Sequence, residues 1–282
     1  MGLTDRLFLP IAKHFIAGTT LEEAVGTSKE MNGRGFRVIV NFLGEEIKDE
    51  RELDQTMAEY LSIFDQMEQN KIDGCVSVKL TQLGLTMGVD RAEGNLRTIV
   101  ERARRSGTYL WVDMEGSPYT EQTIELYLKE HREYDRIGIA IQAYLRRTAG
   151  DIDRLVKEGG QVRLCKGAYN EPASVAFKDG REVKENYSAM MKKLFSQGAF
   201  FAVATHDDRL QAEARALSGG AHSNFEFQML RGVREELGRK LLDDGYHLSV
   251  YLPYGARWLP YGMRRMRERK RNILLLFRAL FS

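Results

Sequence analysis

Eight short runs rich in β-branched and aromatic residues recur along this chain, at Phe36–Phe42, Cys75–Leu80, Tyr109–Met114, Ile137–Ala143, Gln161–Lys166, Phe200–Thr205, Asn224–Met229 and His247–Tyr251. Between them lie segments with charged faces and apolar residues at helical spacing, such as Leu53, Met57, Tyr60, Leu61 and Phe64. Strand and helix alternating eight times predicts an α/β chain folded as a (β/α)8 TIM-type barrel. The runs are near-continuously apolar, as parallel strands covered on both faces require, which argues against an antiparallel sandwich. A chain of 282 residues with only five prolines and no low-complexity linker fits one such domain. The expected division is an N-terminal helical arm over 1–34, the barrel over 35–269 and a C-terminal helix over 270–282. Leu259, Tyr261 and Met263 suggest a short helix that caps the mouth and distorts the regular barrel.

Charge narrows the functional classes. Basic and acidic side chains number 42 and 40, a net charge of +2 that gives no field for nucleic acid. The basic character is local, between Arg264 and Arg271. Cys75 and Cys165, each inside an apolar run, read as buried thiols of a reducing compartment and not as a disulfide or a metal site. Met1 to Ile16 matches neither a secretory signal nor a spanning helix, so the expectation is a cytoplasmic protein.

In such barrels the chemistry gathers where strands end. Lys79 ends the second run, Asp113 the third, Gln142 the fourth, Lys166 the fifth, Thr205 and His206 the sixth, Gln228 the seventh and Tyr251 the eighth. Residues distant in sequence would thus ring one pocket. Lys79 and Asp113, on neighbouring strands, form a candidate buried ion pair. Arg163 lies within an apolar strand, where it needs either a carboxylate across the barrel or a polar group of a cofactor. The adjacent Arg264 and Arg265 suit a carboxylate clamp, and Glu268, four residues after Arg264, can brace it. Thr205 and His206 offer donors to a ligand; the competing reading is a helix cap through Asp207 or Asp208. No G-x-G-x-x-G follows the first strand, so a nicotinamide-type dinucleotide fold is not expected.

The segments Ser77-Val78-Lys79-Leu80-Thr81-Gln82-Leu83-Gly84, Val112-Asp113-Met114-Glu115, Ile141-Gln142-Ala143-Tyr144, Arg163-Leu164-Cys165-Lys166-Gly167-Ala168-Tyr169, Ala204-Thr205-His206-Asp207 and Phe225-Glu226-Phe227-Gln228 occur in that order. With Tyr251-Leu252-Pro253-Tyr254-Gly255 and Tyr261-Gly262-Met263-Arg264-Arg265-Met266-Arg267-Glu268 closing the series, the chain resembles the proline dehydrogenase family from about Ala17 to its end. The resemblance implies FAD across the strand ends, accepting hydride from L-proline at N5. It implies that Arg163 hydrogen-bonds near N5, that Gln142 meets the pyrimidine edge, and that Met114, Lys166, Gly167, Ala168, Thr205 and His206 hold the rest of the cofactor. Asp113, Arg163 and Tyr251 fall to catalysis, and Lys79, Tyr169, Leu230, Tyr261, Arg264, Arg265 and Glu268 to the substrate.

The same resemblance implies electrons passed to a membrane quinone, and a product, Δ1-pyrroline-5-carboxylate, oxidised further by a separate dehydrogenase. Ile273 to Phe281 reads either as the last helix packed on the barrel or as an interfacial helix making peripheral contact with the inner face of the cell membrane. Asn170 departs from the family pattern at the adenine end. Rival functions are oxidation of 4-hydroxyproline, which needs space where Tyr251 stands, a flavin barrel of the methylenetetrahydrofolate reductase type, and a barrel kept as a binding module.

Overall fold

The computed structural model describes residues 9–10, 12–220 and 224–267, with side chains described as far as Met263 in the last helix. Eight strands, β1 Arg37–Phe42, β2 Gly74–Lys79, β3 Leu110–Asp113, β4 Ile137–Gln142, β5 Gln161–Cys165, β6 Phe201–Ala204, β7 Phe225–Leu230 and β8 Leu248–Tyr254, pair in parallel with their neighbours. β8 returns to β1, with Arg37 opposite Ser249 and Phe42 opposite Tyr254, and the barrel closes. Seven helices follow the first seven strands in register with the predicted alternation: α2 Glu50–Gln69, α3 Val89–Ser106, α4 Thr120–Glu133, α5 Thr148–Lys157, α6 Gly180–Gln197, α7 Asp208–Ser218 and α8 Glu235–Asp243. α1 Leu21–Gly33 precedes them and α9 Trp258–Arg267 comes last.

Side-chain alternation sorts each strand into two cores. Val38, Val40, Val76, Val78, Val112, Ile139, Ile141, Val162 and Leu164 face outward into one continuous helix-covered core. Ile39, Cys75, Trp111 and Ala202 fill the barrel interior, with Tyr109, Phe200 and Tyr251 packed against them. Trp111 needs a gap opposite: a Cβ at Gly138 would lie 2.4 Å from its Cζ3. The buried strands thus confirm covering on both faces, but above that apolar plug the inner face is polar, with Asn41, Ser77, Asp113, Gln142, Arg163 and Gln228 all buried.

Two features set the shape of the mouth. α1 packs against β1 and β8, the outer position that a helix following β8 would otherwise take. α9 lies instead on the N-terminal segment: Trp258 and Tyr261 cluster with Ala12, Phe15, Ile16 and Leu43, joined by Val233 after β7. Backbone bonds from Ala17 N to Pro253 O (2.8 Å) and from Gly255 N to Gly18 O (3.1 Å) tie the segment before α1 to the end of β8. The mouth-capping helix is therefore formed as expected from Leu259, Tyr261 and Met263. β8 runs three residues beyond the sequence-based end at Tyr251, because it stays paired with β1 as far as Tyr254 opposite Phe42; Pro253 gives up a donor there, and its carbonyl accepts from Ala17. Glu268 and the 270–282 helix, including the Ile273 to Phe281 run, lie outside the described residues.

Candidate active site

The C-terminal ends of the strands open into a cavity of about 1000 Å³. At its centre of hydrogen bonding is Asp113, the last residue of β3. The β2–β3 register places Lys79 beside it, with Nζ 3.3 Å from Oδ2. Ser77, two residues earlier on the same inward face, donates its hydroxyl to Oδ1 at 2.6 Å. Tyr251 of β8 donates its phenol to Oδ2 at 2.7 Å, and Arg163 of β5 reaches Oδ1 through Nη1.

Burial alone would push the Asp113 pKa up; the charges of Lys79 and Arg163, with the Ser77 and Tyr251 hydrogen bonds, outweigh it and hold the carboxyl below its ordinary value. Burial, reinforced by Asp113, pushes the Tyr251 phenol well above its usual range. At the floor of the site there is thus an ionised carboxylate, two cations and a protonated phenol.

Arg163 is the second hub. Its Nε donates to Gln228 Oε1, its Nη1 also reaches Ser77 at 3.2 Å, and its guanidinium stacks 4.5 Å from the Trp111 ring centroid. Gln228 is held from behind by Glu226, which accepts from Ser249 at 2.9 Å. The arginine found its carboxylate across the barrel, the first of the two alternatives. Even so, Nη2 is buried without a hydrogen-bond partner among the described residues, although Arg163 is only 3 % exposed.

The β3 to β6 rim carries the residues expected to hold a cofactor, and all of them line the cavity. Gln142 ends β4 and donates Nε2 to the Glu115 carbonyl at 2.9 Å, which fixes its amide over the mouth. Met114 sits beside it, buried. Lys166, Gly167 and Ala168 follow β5. Gly167 adopts φ +114, and a Cβ there would lie 2.1 Å from Tyr144 Cδ1, so the loop tolerates only glycine.

Of the two readings of Thr205-His206, the helix cap is formed, through Asp207. Asp207 is the cap of α7, accepting from Arg209 N at 3.1 Å and Leu210 N at 3.4 Å, with Thr205 Oγ1 receiving the Asp207 N–H at 3.2 Å. Lys166 and Lys184 neutralise that cap at 2.8 and 3.2 Å. His206 accepts the Leu230 N–H on Nε2 at 2.9 Å, so the neutral ring carries its proton on Nδ1. Both Thr205 and His206 still line the cavity.

Tyr169, Leu230, Tyr251 and Tyr261 form its walls, on four different elements. Arg264 and Arg265 lie on α9, in the turn after Tyr261 and Met263; their side chains lie outside the described residues. Several contributors carried no sequence signal of their own. Ser77 is an ordinary strand serine until the register sets it against Asp113. Glu45 reaches the Tyr169 hydroxyl at 3.3 Å from the loop after β1. Arg234, in a left-handed backbone with φ 56, donates to the His206 carbonyl and to Asp208 at 2.8 Å each.

A closed (β/α)8 barrel with a polar, partly desolvated cavity at its strand ends is the architecture of a small-molecule site. The chain belongs to the proline dehydrogenase family: the sequence model described as "Proline dehydrogenase" matches residues 24–273. It is 37% identical over 278 residues to proline dehydrogenase 1 of Bacillus subtilis subsp. natto, covering 96% of this chain and 91% of the relative. Proline dehydrogenase of Deinococcus radiodurans is 31% identical over 280 residues, with 96% and 90% covered. Among solved structures, proline utilization A from Bdellovibrio bacteriovorus, inactivated by N-propargylglycine, superposes with a TM-score of 0.86 at 23% identity. That likeness covers 92% of this chain and 32% of the larger one, so the present chain spans about a third of it and shares its barrel fold.

Proposed function

We propose that the chain oxidises L-proline to Δ1-pyrroline-5-carboxylate, the first step of proline catabolism, with FAD as the cofactor and a membrane quinone as the final electron acceptor. The observation that carries the cofactor is the Arg163 Nη2 donor. A buried, charged donor without an acceptor is costly, and an isoalloxazine nitrogen or oxygen over the barrel mouth would satisfy it. The cavity volume also suits a ligand of that size. Bound FAD would supply the hydride acceptor, N5, that no side chain provides.

In this reading Gln142 meets the pyrimidine edge with its amide, Met114 packs against the ring, and Lys166, Gly167, Ala168, Thr205 and His206 hold the ribityl and diphosphate. Lys166 already shares Asp207 with Lys184, so it can turn to a phosphate without leaving the carboxylate unpaired. Arg264 and Arg265 clamp the proline carboxylate, braced by Glu268, and Tyr169, Leu230, Tyr251 and Tyr261 enclose the ring. Asp113 fixes Lys79 and Tyr251 at the floor: it takes the single phenol proton and one ammonium proton, so the phenol oxygen and the remaining Lys79 donors face the substrate. The substrate ammonium must lose its proton before the C–H bond breaks, and water at the open mouth takes it.

The phenol of Tyr251 favours proline over 4-hydroxyproline, because a ring hydroxyl needs the space it fills. Among the described residues no helix is long and apolar enough to cross a membrane. We assign a cytoplasmic site of action with peripheral membrane contact, and a separate pyrroline-5-carboxylate dehydrogenase downstream. Steady-state turnover of proline with a soluble quinone tests the reading. Arg264→Ala and Arg265→Ala should each raise KM for proline by about tenfold or more, the loss of one charge-assisted pair. Unchanged KM in both variants would remove the clamp, and turnover of folate or of 4-hydroxyproline in preference would replace the substrate.

A further inference from the structure

We propose that Glu115 is a positioning residue: through Thr81 it holds the cavity-wall segment 43–49 in place, and its protonation releases that wall. Glu115 follows β3 and is buried, and Thr81 donates both its N–H (3.0 Å, to Oε1) and its hydroxyl (to Oε2) to the carboxylate. The same Thr81 then accepts from the wall segment: Oγ1 takes the Glu46 N–H at 3.0 Å and the Thr81 carbonyl takes the Ile47 N–H at 3.2 Å. A hydroxyl has one proton. While Glu115 is ionised that proton points to the carboxylate, which leaves a lone pair aligned on Glu46.

The segment needs this support. Glu46 has φ 54, a left-handed backbone that a glutamate adopts only when held. Its neighbours are seated closely: a Cβ at Gly44 would meet Gln82 Nε2 at 2.6 Å, and Thr86 donates to the Ile47 carbonyl. Leu43, Gly44 and Glu45 all line the cavity, and Glu45 reaches Tyr169 on the opposite rim. Protonating Glu115 puts a second donor where Thr81 already donates, so the Thr81 hydroxyl must turn and the Glu46 bond weakens.

The groups facing Glu115 set where this happens. Burial pushes its pKa up to about 7, against the opposing Thr81 bonds and the charge of Lys79 on β2, with Glu45 on the wall adding repulsion. The phenols of Tyr60 on α2 and Tyr119 before α4 also face it, each pushed up in part by its charge. Asp113, two residues earlier on β3, is already matched by Lys79 and Arg163. The wall is therefore held above about pH 7 and loosened below it.

The kinetic arm of the test rests on the proposed proline oxidation; the spectroscopic arm does not. Carboxyl carbon-13 NMR of glutamate-labelled protein, with the Glu115 signal assigned by its loss in Glu115→Gln, reads the titration directly. Amide exchange at Glu46 and Ile47 reads the wall. Protection at both amides should fall as pH drops through about 7, although intrinsic exchange slows in that direction. KM for proline should rise by about tenfold over the same range. Glu115→Gln and Thr81→Val should stay near the low-pH values at all pH, and Thr81→Ser should keep the transition. A Glu115 titration below pH 5, or wall protection in Glu115→Gln that follows the wild type, would overturn the proposal. A pH-dependent wall in a protein that never turns over proline would instead overturn the function and leave the wall mechanism standing.

Discussion

Arg163 on β5 and Asp113 on β3, 50 positions apart in the chain, meet inside the barrel with Nη1 against Oδ1, and Ser77, Lys79, Tyr251 and Gln228 each touch one or the other. A buried pair of this kind contributes little net stability, but breaking it leaves an uncompensated charge.

Arg163→Met tests that relationship. It leaves Asp113 with Lys79 and two hydroxyl donors, and should lower unfolding free energy by about 3–5 kcal/mol, the cost of removing one partner of a buried pair. Denaturant midpoints measure it. A double change, Arg163→Met with Asp113→Leu, should recover part of the loss; equal or greater destabilisation in the double variant would contradict the hub.

Tyr251 makes a different demand, because its phenol both binds Asp113 and fills the cavity wall. Tyr251→Phe keeps the ring and should cut kcat for proline by about 10- to 100-fold, the range for a charge-assisted bond of about 1.5–3 kcal/mol. Tyr251→Ser opens the wall and should raise the ratio of kcat/KM for trans-4-hydroxyproline over proline by about tenfold or more. A ratio unchanged in the serine variant would separate Tyr251 from substrate choice.

Much of this arrangement was legible in the chain, and the exceptions have physical causes. The eight runs mark the strands because parallel strands are buried on both faces, and every expected site residue with a described side chain lines the cavity. The partners of those residues were harder to see. Ser77 and Gln228 acquire their roles from register between strands, which no local pattern encodes. Arg163 illustrates the limit: an arginine in an apolar run announces a polar partner, yet the identity of Asp113 as that partner follows only from barrel closure. Glu115 is only the last letter of the Val112–Glu115 motif in the sequence; its burial and its grip on Thr81 depend on a loop 34 residues earlier.

Two buried carboxylates should tilt the pH dependence of stability in opposite directions. Asp113 has a lowered pKa, so its contribution is complete above the unfolded value near 4 and is lost as pH falls below it. Glu115 has a raised pKa, so the protein loses stability as pH rises from about 4.5 through about 7. Glu115→Gln should therefore be more stable than the wild type at pH 8, by about 3 kcal/mol if the whole shift is expressed, with the gap closing toward pH 5. Urea unfolding at the two pH values measures it, and a gap independent of pH would exclude Glu115 as the titrating group.

Gly167→Ala should be disproportionately harmful for one methyl group. It imposes a left-handed backbone on alanine and a 2.1 Å approach to Tyr144, a strain of about 1–3 kcal/mol. Because Gly167 lies on the rim proposed for FAD, the variant should also retain less flavin after gel filtration. Full flavin retention with lowered thermal stability would place the strain outside the cofactor site.

Anaerobic mixing of the purified, FAD-loaded protein with L-proline tests the central claim most directly, read by the visible absorption of oxidised flavin. Rapid bleaching with proline, much slower bleaching with trans-4-hydroxyproline, and loss of the proline response in Arg264→Ala is the predicted result. A flavin that stays oxidised with proline would contradict the assigned reaction, and a protein that takes up no flavin would contradict the cofactor site around Arg163.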